Sequence, residues 1–90
     1  MQKTYKITDE DGIHARPATA LVNTANKFKS EVFAEANNRK VTMKSILGVL
    51  SLGLEPGDLV TFITEGEDAS DLLAAFDDVF SQEGLGIVYR

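Results

Sequence analysis

The chain has 90 residues, no cysteine, a single histidine and a formal net charge of −5. The length suits one domain, 1–90, and its 43% hydrophobic and 26% charged residues are those of a globular chain. A disulfide scaffold, a thiolate nucleophile, a zinc–thiolate site and a His-pair metal site are excluded, and the acidic balance opposes nonspecific nucleic-acid binding.

Thr4 to Thr8 alternates polar and apolar residues and predicts a short strand, broken by Asp9-Glu10-Asp11-Gly12. Ala18, Leu21, Val22, Ala25 and Phe28 then fall at helical spacing, predicting a helix from about Ala15 to Lys27. Glu31 to Ala36 alternates again, with Val32, Ala34 and Ala36 on one face. Asn37-Asn38 suits a tight turn with positive φ, so Arg39 to Met43 is the returning strand of a hairpin.

Ser45 to Leu52 predicts a short helix, with Ser45 as N-cap and Gly53 as stop. Glu55-Pro56-Gly57-Asp58 is a turn and Leu59 to Glu65 a fourth strand. Asp68 or Ser70 is expected to cap a last helix with Leu72, Leu73, Phe76, Val79 and Phe80 as its apolar stripe and Gly84 as its end. The order implies an α+β open-faced sandwich: a four-stranded antiparallel sheet, with two long helices and one short one on one face. The other face would carry Phe33, Leu59, Thr61 and Ile63, and the tail 85–90, of no assigned role, is expected to cover part of it unless another molecule does. No segment has the apolar run of a signal peptide or a membrane span, so a cytoplasmic protein is expected, without membrane insertion.

The segment Gly12-Ile13-His14-Ala15-Arg16-Pro17-Ala18-Thr19 carries the chemistry. A helix start offers unpartnered N–H groups and the positive end of a dipole, which favours an anion. Pro17 fits the first turn, Arg16 supplies a fork suited to phosphate oxygens, and Gly12 frees the backbone before the loop. An imidazole here can serve as a phosphoryl acceptor, since its reference pKa of about 6.5 leaves a neutral nucleophile near neutral pH. Residue chemistry alone leaves a second possibility open, in which His14 is a surface or capping residue and Arg16 pairs with Asp9, Glu10 or Asp11.

That segment resembles the phosphorylation-site motif of HPr, the histidine-containing phosphocarrier family of the phosphoenolpyruvate:sugar phosphotransferase system. Lys44-Ser45-Ile46-Leu47-Gly48-Val49-Leu50-Ser51-Leu52-Gly53 resembles the family's second signature, around a regulatory serine. Glu83-Gly84-Leu85-Gly86 is similar to the C-terminal region of the low-GC Gram-positive members. The resemblance implies a stoichiometric carrier without a cofactor rather than an enzyme. His14 would accept a phosphoryl group on Nδ1 from phosphorylated Enzyme I and pass it to IIA domains of sugar transporters. Arg16 would bind the phosphate, the N–H groups of Ala15 and Arg16 would add donors, and Pro17 would shape the helix start.

Ser45 would be modified by the family's serine kinase/phosphorylase, making the protein a corepressor for a catabolite-control transcription factor. The resemblance also assigns Ile46, Leu47 and Leu50 to a partner-docking patch with Ala18, Thr19 and Leu21, ringed by Arg16, Lys27 and Lys44. Two departures bear on the site. Asp11 stands where relatives often carry a small neutral residue and would repel a phosphate on His14. Leu47 and Leu50 replace methionines found in some relatives, giving a less adaptable surface. A regulatory or nitrogen-branch relative, or a small α+β interaction module without phosphoryl transfer, remains as an alternative. The joint presence of His14 and Ser45 argues against a relative restricted to catabolite repression, which would lack the histidine.

Overall fold

A computed structural model describes residues 1–90. It contains β1 (Gln2–Ile7), α1 (Ala15–Ala25), β2 (Glu31–Ala36), β3 (Arg39–Thr42), α2 (Ile46–Leu50), β4 (Leu59–Glu65), α3 (Ala69–Glu83) and β5 (Gly86–Val88). The strands form one antiparallel sheet in the order β3-β2-β4-β1-β5. The seven expected elements are present, and the sheet has a fifth strand.

Alternation decides which face of the sheet is buried. Tyr5 and Ile7 of β1, Val32, Ala34 and Ala36 of β2, and Val60, Phe62 and Thr64 of β4 all point into the core. The helices bury Ala18, Leu21, Val22 and Ala25 from α1, Val49 from α2, and Leu72, Leu73, Phe76 and Phe80 from α3. Tyr5, Phe62, Phe76 and Phe80 interlock by stacked and edge-on contacts, with the Tyr5 and Phe80 centroids 4.3 Å apart. The β2–β3 turn has φ of 51° at Asn37 and 64° at Asn38, as the paired asparagines predict.

The tail departs from its expected place. It lies in the plane of the sheet as an edge strand, pairing Ile7 with Gly86 and Tyr5 with Val88. Leu85 is fully buried, and its carbonyl accepts the N–H groups of Thr8 (3.0 Å) and Asp9 (3.3 Å). A side chain at Gly86 would collide with the Lys6 carbonyl at 2.2 Å, so β5 can approach β1 only with glycine there. The tail therefore does not lie over Phe33, Leu59, Thr61 and Ile63. Part of that face is shaded by its own charges, with the Lys40 ammonium 5.2 Å from the Phe33 ring centroid.

Asp68 also differs from expectation. It stands at the N-cap of α3, but its carboxylate makes no cap bond. It accepts instead from the N–H of Lys29 (3.0 Å), the N–H of Ser30 (2.9 Å) and the Ser30 hydroxyl, tying α3 to the start of β2. These bonds, the Ser30 hydroxyl foremost, hold its pKa at about 2. Asp77 accepts from the Tyr5 hydroxyl (2.7 Å) and from Lys3 (3.1 Å), which holds its carboxyl below the usual range. Burial, reinforced by Asp77, pushes the Tyr5 phenol far above its ordinary value.

Two predictions follow from these ties. Truncation after Gly84 removes the buried Leu85 and the acceptor for two loop amides. It should cost about 2–5 kcal/mol and lower the melting temperature by on the order of 10 °C, measured by calorimetry. The second concerns acid. A carboxylate with a lowered folded-state pKa contributes stability that is present above its unfolded value near 4 and lost as pH falls toward the folded value. Wild type should therefore lose stability between about pH 4 and pH 2, whereas Asp68→Asn should be weaker at pH 7 and fall less steeply across that window in pH-series denaturation.

Candidate functional site

The loop between β1 and α1 is shaped by close backbone packing. Gly12 has φ of 63°, and a Cβ there would lie 2.0 Å from the Leu54 carbonyl oxygen. Only glycine lets the loop pass so near the segment after α2. The Gly12 N–H donates to the Asp9 carbonyl at 3.0 Å, and the Asp11 N–H donates to the Asp9 carboxylate at 3.0 Å. Ile13 is buried beneath the loop, which leaves the next residue at its rim.

That residue is His14, half-buried and at the N-cap of α1 in an extended conformation, φ −93° and ψ −172°. Its carbonyl accepts from the Ala18 N–H at 2.9 Å, which closes the first helical turn. Its side chain makes no cap bond, and Pro17 has no N–H to satisfy. The first-turn N–H groups of Ala15 and Arg16, both exposed residues, are thus left free of helical partners at the positive end of the dipole. Pro17 and Ala18 are buried and hold the turn down, while Thr19 is exposed and donates its hydroxyl to the Ala15 carbonyl at 2.8 Å.

Arg16 is exposed, and its guanidinium pairs with Glu83 at the end of α3. The acidic loop residues Asp9, Glu10 and Asp11 do not take that role. Glu83 is a site residue that sequence reasoning missed. The only signal was its place directly before Gly84-Leu85-Gly86, and the C-terminal segment shows how that run acts. Gly84 ends α3 with φ of 63°, Leu85 fills the core, and Leu85 binds the backbone leading into the histidine loop.

Ser45 caps α2 as expected. Its Oγ accepts from the Gly48 N–H at 3.2 Å, and its carbonyl accepts from the Val49 N–H at 3.1 Å. The Lys44 ammonium donates to the Phe28 carbonyl at 3.1 Å, and the Asn26 side chain donates to the Lys44 carbonyl at 3.4 Å. These bonds put the start of α2 beside the end of α1, while Leu54 beyond α2 lies against Gly12. The two helices therefore run antiparallel, and His14 and Ser45 stand at opposite ends of α1. Eleven residues of helix separate them by roughly 16 Å along the axis.

The patch expected along this side is corrected in two places. Ala18 and Leu21 are each 0% exposed, because they form the stripe that seats α1 on the sheet, and neither can touch a partner. Ile46, Leu47 and Leu50 are exposed, with Leu47 81% accessible. Five residues are too few for α2 to turn a full stripe inward, and only Val49 is buried. Lys27 is exposed and Lys44 half-buried on the same side.

A sequence model described as "PTS HPr component phosphorylation site" matches residues 1–82. The chain belongs to the HPr family. Solved structures of the family superpose closely. A Mycoplasma histidine-containing phosphocarrier protein matches with a TM-score of 0.93 at 31% identity, over 96% of this chain and 98% of that one. The phosphocarrier protein HPr from Bacillus anthracis matches with a TM-score of 0.80 at 37% identity, over 88% and 94%. Crh, a Bacillus subtilis catabolite-repression protein described as a domain-swapped dimer, matches with a TM-score of 0.71 at 38% identity, over 87% and 90%. Family and fold together support a phosphocarrier of the phosphotransferase system. No helix is long and apolar enough to cross a membrane.

The cap geometry makes a prediction independent of phosphate. Ser45→Ala leaves the Gly48 N–H without its acceptor and should destabilise the protein by about 1 kcal/mol, read from the midpoint of urea unfolding at unchanged slope.

Proposed function

We propose that the chain carries a phosphoryl group on His14, taken from phosphorylated Enzyme I and passed to IIA domains of sugar transporters. The observation that carries the reading is the arrangement around His14: an imidazole at the N-cap of α1, two free first-turn N–H groups and the Arg16 guanidinium. Phosphoryl transfer needs positioning and charge stabilisation more than covalent help, and these groups supply both to the phosphate oxygens. A ring-nitrogen lone pair of His14 forms the new P–N bond as the donor's P–N bond breaks. The donor imidazole leaves with that electron pair, and one proton moves net from the acceptor ring to the donor ring. The chain returns to its starting state when a IIA domain takes the group, so it turns over as a carrier.

Ser45 is the regulatory phosphorylation site in this reading, modified by the serine kinase/phosphorylase, with the catabolite-control transcription factor as the partner of the modified form. A phosphate there would add a charge of about −1.5 to −2 beside Ile46 and Leu47. The separation from His14 exceeds the Debye length of about 10 Å at 0.1 M salt, so direct repulsion between two phosphates is heavily screened. Regulation would act through the docking surface that lies between the two sites: Ile46, Leu47, Leu50 and Thr19, with Lys27 and Lys44 at its margin. The similarity to Crh supports a second reading, a regulatory relative, against which the presence of His14 stands.

Phosphoenolpyruvate with a competent Gram-positive Enzyme I separates the two. The carrier reading expects an acid-labile mass gain of one phosphate in wild type and none in His14→Ala. An unmodified wild type would sink it. With the serine kinase and ATP, the gain should instead be acid-stable and absent from Ser45→Ala; modification elsewhere counts against the regulatory role.

A further inference from the structure

We propose that Asn37, in the β2–β3 turn, is a positioning residue for partner docking. Its side-chain amide fastens the segment from Leu52 to Asp58, and that segment holds α2 and the histidine loop in one arrangement. The inference rests on the carrier reading above and deepens it, by naming what presents the docking surface and His14 together.

The need arises from the length of α2. A five-residue helix does not hold its own shape, and the carbonyls at its C-terminal end need partners from outside. The Ser51 hydroxyl donates to the Gly48 carbonyl at 2.6 Å, and the Leu52 and Gly53 N–H groups donate to those of Val49 (3.1 Å) and Leu50 (3.3 Å). The next two carbonyls are taken by the hairpin. The Arg39 guanidinium donates to the Ser51 carbonyl at 3.3 Å, and the Asn37 amide donates to the Leu52 carbonyl at 2.9 Å. The same amide nitrogen reaches the Asp58 carboxylate at 3.4 Å. That carboxylate also accepts the Glu55 N–H at 3.0 Å, closing the turn through Pro56 and Gly57. Asn37 thus touches both ends of the segment.

The segment leads to the site. Leu52 and Leu54 are buried, and the Leu54 carbonyl is the group that Gly12 packs against. The Asp58 carbonyl accepts the Ile7 N–H at 2.9 Å, and the Gly57 N–H donates to the Ile7 carbonyl at 2.7 Å. These two bonds tie the segment to the end of β1, just ahead of the histidine loop. In the other direction the chain runs back into α2 with its exposed Leu47 and Leu50. One continuous segment therefore carries the docking residues and backs the loop that presents His14.

Turn geometry alone does not call for asparagine at position 37. Its φ of 51°, like the 64° of Asn38, is one that glycine adopts without steric cost. Asn38 makes no hydrogen bond to the segment, whereas Asn37 reaches it twice. The side-chain amide is what position 37 adds. It offers two uncharged N–H donors to two acceptors, where an aspartate would set a carboxylate against the Leu52 carbonyl and the Asp58 carboxylate. Without the amide, a partner has to order the segment before it can engage α2 and His14 at once. Apparent affinity then falls with the fraction of molecules already in the docking arrangement.

Steady-state phosphoryl transfer from phosphorylated Enzyme I, with this chain as the varied substrate, tests the proposal. Asn37→Gly suits the left-handed backbone and removes the amide. It should raise KM by roughly three- to tenfold, the scale of one lost hydrogen bond, with kcat little changed. Asn38→Gly, the control in the same turn, should match wild type. Asn37→Asp should raise KM further, and Asp58→Asn in the same chain should recover part of the loss, a rescue that a merely weakened fold would not show. A KM equal to wild type in Asn37→Gly overturns the proposal whatever happens to the melting temperature. An equal rise in Asn38→Gly overturns it, as does a double variant no better than Asn37→Asp alone. An Asn37→Gly protein that fails to fold overturns it too, because the residue would then be structural. A wild type that takes no phosphate defeats the carrier reading itself, an outcome distinct from the others.

Discussion

The rotation of α1 on the sheet governs everything at the histidine end. Ala18, Leu21 and Ala25 are fully buried, and Val22 nearly so, which leaves the helix one orientation about its axis. Burying a leucine is worth about 1.5–3 kcal/mol, against about 0–1 kcal/mol for an exposed ion pair. Packing therefore decides where Arg16 and Thr19 point, and the contact with Glu83 follows from it. With the stripe seated, the first turn projects at the edge of the helical layer. His14 and the free N–H groups of Ala15 and Arg16 have nowhere to be but at the rim.

Much of this was legible in the sequence because period determines burial. The strands, the helices and the asparagine turn follow from alternation, helical spacing and tolerance of positive φ, all local properties. Ser45 as N-cap and Gly84 as helix stop are equally local. What escaped prediction is contact between residues distant along the chain. Nothing near Asp68 announces that it would bind Ser30 rather than its own helix, and nothing near Arg16 points to Glu83 across 67 positions. Ala18 and Leu21 were misplaced for a related reason. Helical spacing marks a residue as apolar-facing, and it cannot say whether that face meets the sheet or a partner. The sheet claimed both, leaving α2, too short to bury a full stripe, to supply the exposed apolar side chains.

The C-terminal segment shows how a weak strand signal can hold a strong function. Three residues are too few for periodicity to reveal β5, and the alternation of Ile87, Val88 and Tyr89 becomes meaningful only beside β1. Its work is anchoring. Leu85 supplies core volume with its side chain and ties the loop entrance with its carbonyl, while Gly86 lets the strand approach closely. The Gly84-Leu85-Gly86 run at this end of the chain thus belongs physically to the histidine loop. It fixes one end of the loop, as Gly12 against Leu54 fixes the other.

That double fixing reconciles two demands on a carrier. Its reacting group must be exposed, since each larger partner has to reach it in turn, and exposure usually brings mobility. Here the exposed atoms lie at the end of a helix whose other side is core, in a loop pinned from two directions by backbone contacts. The net charge of −5 is a background against which two free amides and one guanidinium are gathered at the start of α1. On the proposed reading one histidine suffices: a carrier needs only to present the acceptor and cradle the phosphate, and each partner would bring its own phosphoryl donor or acceptor group to that one exposed end.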